Sequence, residues 1–150
     1  MQSTTRAHVE YAEWVHGTVF EPGSGILTWA VEFSGQVVSK FQRSVSDGKT
    51  AYESRKLKSY RKALVPFGEL VMFMPMEKPK DKGEVRNCVR IMLGLVDRSD
   101  EVVIGTTERV VKARTVHRMP VGQRGDAAYA RASGVCRGNR LQLKQLRASR

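Results

Sequence analysis

Residues 89–118 read VRIMLGLVDRSDEVVIGTTERVVKARTVHR, in which three runs rich in Val, Ile and Leu are separated by short polar turns. The runs cover residues 89–96, 101–105 and 110–117. Short β-branched runs bounded by Asp, Ser, Gly and Thr are typical of strands joined by tight turns. This stretch therefore predicts an antiparallel meander around which a core can form.

The last run also predicts a positively charged surface. Side chains alternate between the two faces of a strand, so Val111 and Ala113 are expected to point inward. The cations of this run and of the position after it, Lys112, Arg114 and Arg118, are then expected to lie in a row on the opposite face.

A further strand is predicted before the meander, at residues 67–76, where Leu70, Met72 and Met74 recur at every second position. The charged loop 77–84, EKPKDKGE, joins it to the next strand. Four strands therefore follow in order, at 67–76, 89–96, 101–105 and 110–118. A loop followed by two hairpins is the connectivity of a small barrel or a strongly bent sheet.

The amino-terminal third predicts helices. Residues 7–20 carry small and branched apolar residues at steps of three and four, and residues 25–43 carry a wider apolar stripe of the same period. The segment 21–25, EPGSG, breaks the chain between them. Thr50 and Glu53 have the capping-box spacing, which predicts a short helix from residue 51 to about residue 58.

The continuation of that helix is dense in cations, namely Lys56, Lys58, Arg61 and Lys62. Tyr52 and Tyr60 are interleaved with them. Such a mixture can hold phosphates and stack on bases. The alternative is a solvent-exposed connector with no ligand.

The whole chain has 26 Lys plus Arg against 15 Asp plus Glu, which gives a formal net charge of +11. Such a charge indicates either a solvated surface or a polyanionic partner, most often nucleic acid. Cys88 and Cys136 have no second Cys or His at metal-ligand spacing, so free thiols in a reducing compartment are expected. The chain has no secretory leader pattern and no apolar run near the ~20 residues of a membrane helix. We expect an intracellular protein, nuclear or cytoplasmic and not secreted, with no membrane partner.

The carboxyl-terminal residues 121–150 lose the pattern of strands. They are rich in Gly, Arg and Ala, and a basic, disordered tail is expected, with at most a brief helix at residues 141–146. The predicted organisation is therefore helical over 1–60, a small sheet over 64–120 and a tail over 121–150.

The sequence contains no recognisable catalytic constellation. Two-metal strand transfer needs clustered carboxylates, and no Asp here has a Glu at the spacing that retroviral integrases use. Nucleophilic catalysis needs a nearby base, and neither a GxSxG motif nor a paired Cys–His signature is present. We expect no catalytic residue, no bound metal and no cofactor.

Five segments in a fixed order carry a family resemblance: 47–53 (DGKTAYE), 67–71 (FGELV), 93–95 (LGL), 99–106 (SDEVVIGT) and 110–116 (VVKARTV). In this succession the chain resembles the end of the integrase region in copia-type retrotransposon polyproteins, particularly the divergent copies of dinoflagellate genomes. The resemblance covers about residues 24–120.

The resemblance implies an α+β fold. The amino-terminal helices would be the remnant of a ribonuclease-H-like integrase core, and residues 64–120 would form a small antiparallel SH3-like β-barrel. The catalytic carboxylates of that family, and the Mg²⁺ that they bind, belong to a part of the integrase that the match does not include.

The leading hypothesis is therefore a non-catalytic integrase fragment that binds DNA or RNA backbones without sequence specificity. Its predicted contacts are Lys56, Lys58, Arg61, Lys62, Lys112, Arg114 and Arg118. The missing integrase core or other polyprotein segments are possible partners. The competing hypotheses are a protein–protein interaction module, an intact enzyme and a mobile-element relic without function.

Overall fold

The computed structural model describes residues 2–74, 88–106 and 109–132, and within these ranges helices come first and strands follow. The helices are α1 (Gln2–His16), α2 (Gly25–Phe41) and α3 (Ala51–Lys56). The strands are β1 (Leu70–Phe73), β2 (Cys88–Leu95), β3 (Val102–Gly105), β4 (Val110–Ala113) and β5 (Val116–Arg118). A 3-10 turn (Val121–Gln123) and α4 (Ala127–Ala132) come last. The predicted α+β class is confirmed.

The first predicted helix begins earlier than expected and ends earlier, at His16 rather than residue 20. Its end is a Schellman motif, in which Gly17 adopts φ +60°. The Gly17 N–H donates to the carbonyl of Trp14 at 3.3 Å, and the Thr18 N–H donates to that of Glu13 at 3.2 Å. A left-handed glycine at this place stops a helix by satisfying its last carbonyls.

The strands form one sheet of order β4-β3-β2-β1-β5, and every pairing is antiparallel. The strand predicted at 110–118 is broken at Arg114 and Thr115, so that its first half pairs with β3 and its second half with β1. Of the described strands, β4 and β5 are the two edges. The sheet is therefore not closed by a ladder between them.

The short link between β4 and β5 nevertheless forces the sheet to curl. In a flat sheet the two edges would be separated by four strand spacings, about 19 Å. From Ala113 to Val116 the chain takes only three residue steps, which span at most about 11 Å. The sheet must bend until its edges approach each other.

Helix α2 lies against β2, and its Gln36 side chain reaches Leu95 at the end of that strand. The Gln36 amide donates to the Leu95 carbonyl at 2.6 Å and accepts from the Leu95 N–H at 3.0 Å. Leu95 lies beyond the residues of β2 that pair with β1, so a helix side chain satisfies both of its backbone groups there.

Helices and sheet share one hydrophobic core. Helix α2 contributes Ile26, Trp29, Ala30 and Phe33, and the strands contribute most of the remainder: Leu70, Val71, Phe73, Ile91, Met92, Leu93, Leu95, Val102, Val103, Ile104 and Ala113. The domain boundary predicted between residues 60 and 64 stays a prediction. Helices before it and strands after it contribute to the same core.

Residues 121–132, part of the tail through most of which disorder is expected, form the 3-10 turn and α4. This segment is ordered by contacts with α1 and β1: Ala130 is buried, and the Leu70 N–H donates to the Arg124 carbonyl at 2.8 Å. The buried His16 side chain accepts from the Asp126 N–H through Nδ1 at 2.9 Å, and its Nε2 lies 2.6 Å from the Gly68 carbonyl. The predicted loop 77–84, the helix at 141–146 and Cys136 fall outside the described residues.

Candidate nucleic-acid interface

Helix α3 is held at its start by the predicted capping box. The Thr50 hydroxyl accepts from the Glu53 N–H at 3.1 Å, and the Glu53 carboxylate accepts from the Thr50 N–H at 2.9 Å. The Ser59 hydroxyl donates to the same carboxylate at 2.6 Å. This last hydrogen bond, with that from Thr50, lowers the pKa of Glu53. Glu53 therefore fixes both the start of α3 and the segment that follows it, residues 57–62, here called the connector.

A cluster around Lys40 holds the connector against the end of α2. The Lys40 ammonium lies over the rings of Tyr52 and Tyr60, 5.4 Å and 5.2 Å from their centroids. The two rings meet edge to face, and Tyr60 also packs against Phe41. Only 3% of Lys40 is exposed, and burial lowers the pKa of its ammonium against the opposing field of Asp97 and Asp100. Such cation–π contacts strengthen as water is excluded.

This cluster changes the role predicted for the tyrosines. Tyr52 is buried and Tyr60 is half-buried, and both face Lys40. Their rings pack inside the protein, so the expected stacking of bases on Tyr52 is wrong. The tyrosines instead position the cations that follow them.

Those cations point into solvent. Lys56, Lys58, Arg61 and Lys62 are all exposed. Among the residues that the structure describes, no ion pair involves Lys56, Lys58 or Arg61, whereas the Lys62 ammonium lies 3.7 Å from the Asp100 carboxylate.

The turn between β2 and β3 lies next to both Lys62 and Arg114, another of the predicted contacts. Asp100 ends this turn with φ +55°, and its N–H donates to the Val96 carbonyl at 2.8 Å. The next residue, Glu101, lies 3.7 Å from the guanidinium of Arg114, whose side chain is exposed. Since Asp100 and Glu101 are consecutive, Lys62 and Arg114 converge on one turn although 52 positions separate them in the sequence.

The expected single row of Lys112, Arg114 and Arg118 is wrong. Cross-strand partners share a face of the sheet, as do residues two apart on a regular strand. By this rule Arg118 lies on the face of Val71, Arg90, Met92 and Ile104. Lys112 pairs with Val103, whose side chain points away from that of its neighbour Ile104. Lys112 therefore lies on the face opposite Arg118. It also lies opposite Val111, as predicted.

Arg118 has a partner inside the protein. Its guanidinium donates two hydrogen bonds to the fully buried carboxylate of Glu69, at 2.8 Å and 2.7 Å. The Tyr11 hydroxyl of α1 donates to the same carboxylate. The hydrogen bonds from Arg118 to Glu69 are the main cause of a raised pKa of Arg118. A buried carboxylate needs such compensation, so Arg118 is committed to the fold.

One exposed residue of this surface escaped the sequence reasoning. Leu57 stands between Lys56 and Lys58, and 91% of it is exposed. Its sequence signal is an apolar residue at the position after a short helix, where Gly or Asn is usual.

The described residues contain no group of three or more His, Cys, Asp or Glu that could hold a metal ion. No helix among them has both the length and the apolar character needed to cross a bilayer.

Comparison of the chain with protein-family models, with curated proteins and with solved structures gives no match.

Proposed function

We propose that the chain binds nucleic acid through its phosphates, using Lys56, Lys58, Arg61 and Lys62 of α3 and the connector together with Arg114. The observation that carries the proposal is their convergence: a segment before the sheet and the end of β4 meet at the β2–β3 turn. Backbone contacts of this kind give affinity without sequence specificity.

Two further observations support this proposal. The chain carries a formal net charge of +11, and contacts of Tyr52 and Tyr60 with Lys40 hold the backbone of the connector against the end of α2. A backbone that is already held in place loses less conformational freedom on binding than a free one does.

We also propose that the chain is an integrase-derived fragment of a copia-type retrotransposon, with the sheet as its SH3-like domain. The pairing of β1 with β5 and the curl that the short β4–β5 link imposes support a barrel-like arrangement. On this proposal the fragment is intracellular, requires no Mg²⁺ and catalyses no strand transfer. Donor-strand joining by the purified chain with Mg²⁺ or Mn²⁺ would contradict it.

The phosphate-binding proposal is tested by fluorescence anisotropy with a labelled duplex at several salt concentrations. Five neutralised phosphates give a slope of log affinity against log salt near about −4.5. Lys58→Ala with Arg61→Ala removes two of the five contacts, so we expect the slope to fall in magnitude by about 1.8.

Arg6→Ala with Arg131→Ala is the matched control. Both residues are exposed on helices outside the interface, and the substitution lowers the net charge by the same amount. We expect the control to keep the wild-type slope. Equal slopes for the two double variants would show that charge alone, and not this surface, sets the affinity. Binding that is undetectable at low salt would remove the proposal.

A protein-interaction module remains the second candidate, and exposed apolar residues on α1 and just after it favour it. Trp14 is 78% exposed on α1, and Val19 beyond its end is exposed to a similar degree. A complex captured by the purified chain that resists both nuclease and high salt, and that Trp14→Ala abolishes, would support this function over phosphate binding.

A further inference from the structure

Leu57 occupies a backbone conformation that does not suit it. It caps α3 with φ 56° and ψ 24°, and its N–H donates to the Glu53 carbonyl at 2.8 Å. The left-handed region brings the Cβ of an L-residue close to its own carbonyl, which is why Gly or Asn usually fills this position. Leucine there carries a cost in stability that its exposed side chain does not offset by burial.

The surroundings of Leu57 are cationic on both sides. Arg55 and Lys56 precede it, Lys58 follows it, and all three are exposed. Within residues 51–63 Leu57 is the large apolar side chain that faces solvent, because Tyr52 and Tyr60 pack on Lys40. A ligand whose phosphates lie against these cations would therefore meet one protruding apolar group.

We propose that Leu57 contacts the bases of the bound nucleic acid, so that the interface prefers single-stranded or easily unstacked nucleic acid to regular duplex. The inference rests on the proposed phosphate binding and specifies its ligand. In a nucleic acid the bases offer the largest apolar surface, and leucine is among the side chains that proteins insert between base steps. Unpaired strands expose that surface without the cost of unstacking a duplex.

An anionic membrane would also attract these cations, but the apolar component does not fit it. Binding in the membrane interface requires an apolar face made by several residues along a helix. Helix α3 buries Tyr52, and its remaining exposed positions are small, polar or charged. A single leucine surrounded by cations matches a wedge between bases better than an anchor in lipid.

The test compares Leu57→Gly and Leu57→Asn with the wild-type chain. Both replacements suit a left-handed backbone, so we expect both to raise the Tm. We expect at least a three-fold loss of affinity for a labelled 20-nucleotide oligo-dT and less than a 1.5-fold change for a 20-base-pair duplex. Salt slopes should stay unchanged, since no cation is removed. Val45→Asn, at a fully exposed apolar residue of the preceding loop, is the matched control and should change neither affinity.

The outcomes separate the two proposals. Salt-dependent binding of both ligands by the wild-type chain, with oligo-dT affinity unchanged in the Leu57 variants, overturns the role of Leu57 alone. Absence of binding by the wild-type chain overturns both proposals. A lower Tm with equal losses for both ligands would make Leu57 a folding residue. Loss of binding to vesicles of phosphatidylserine and phosphatidylcholine, with nucleic-acid affinity intact, would assign Leu57 to a membrane instead.

Discussion

Glu69 shows how strongly a single side chain can depend on a distant one. Its carboxylate is inaccessible to solvent and receives hydrogen bonds from Tyr11 of α1 and Arg118 of β5. The carboxylate therefore connects α1 with β5. A buried ion pair of this kind adds little net stability when intact, but removing one partner leaves an uncompensated charge.

Arg118→Ala is therefore expected to lower the free energy of unfolding by about 3 kcal/mol, at the low end for a broken buried pair because water can enter beside a residue that is 40% exposed. Arg118→Lys keeps the charge but loses the paired geometry, and about 1.5 kcal/mol is expected. Urea denaturation measures both.

Glu69→Gln in the Arg118→Ala background provides the control. It removes the unpaired charge and should restore part of the lost stability. If the midpoint of urea denaturation is the same for Arg118→Ala as for the wild-type chain, the contact with Glu69 contributes nothing to stability. Arg118 would then be available for phosphate binding.

The sequence could identify the charges but not their partners. Alternation predicted Lys112 opposite Val111, because that depends only on one regular strand. It misplaced Arg118, because the bend at Arg114 and Thr115 changes which face the chain presents. No local pattern announces that bend, and Glu69 becomes a partner only once β5 lies beside β1.

At the scale of elements, α3 is the best-predicted part of the candidate interface. Its capping box is visible in the sequence because the two reciprocal bonds join residues only three positions apart. The helix has six residues, too few to be stable alone. Its cap and the Lys40 cluster therefore decide whether the connector cations are held in place.

Thr50→Ala should destabilise α3 by about 1 kcal/mol, the usual cost of losing an N-cap hydroxyl. Faster amide hydrogen exchange in residues 51–60, with little change in β2 and β3, is the expected signature. Thr50→Ser keeps the hydroxyl and should behave like the wild-type chain. Exchange that is equally fast throughout the protein in Thr50→Ala would mean that α3 unfolds only with the whole molecule.

At the scale of the whole molecule, α1 is bracketed by two glycines from distant parts of the chain. A Cβ at Gly68 would lie 2.5 Å from the Cβ of Ala12, and a Cβ at Gly125 would lie 1.9 Å from the carbonyl oxygen of Val15. Such approaches between backbones cannot be read from a sequence, since a glycine required for packing looks like a glycine in a loop. This is why the segment 121–132 was expected to be disordered.

Gly125→Ala should lift the carboxyl-terminal segment from α1 and destabilise the fold by about 1–3 kcal/mol, the range seen when a packed site is overfilled. Gly122→Ala is the matched control, because a Cβ there meets nothing within 4 Å. Thermal unfolding of the two variants gives the comparison. Equal melting temperatures would show that residues 121–132 do not brace α1.

The bond between His16 and Asp126 joins positions 110 residues apart. A ribosome delivers α1 first, yet the surface that covers its last turn is made only after the whole sheet. During synthesis Val15 and the Nδ1 side of His16 must wait uncovered, and a chain interrupted before residue 125 would leave that face exposed permanently. The rate at which residues 88–126 are translated therefore bears on how long a nascent chain offers this face to chaperones or proteases.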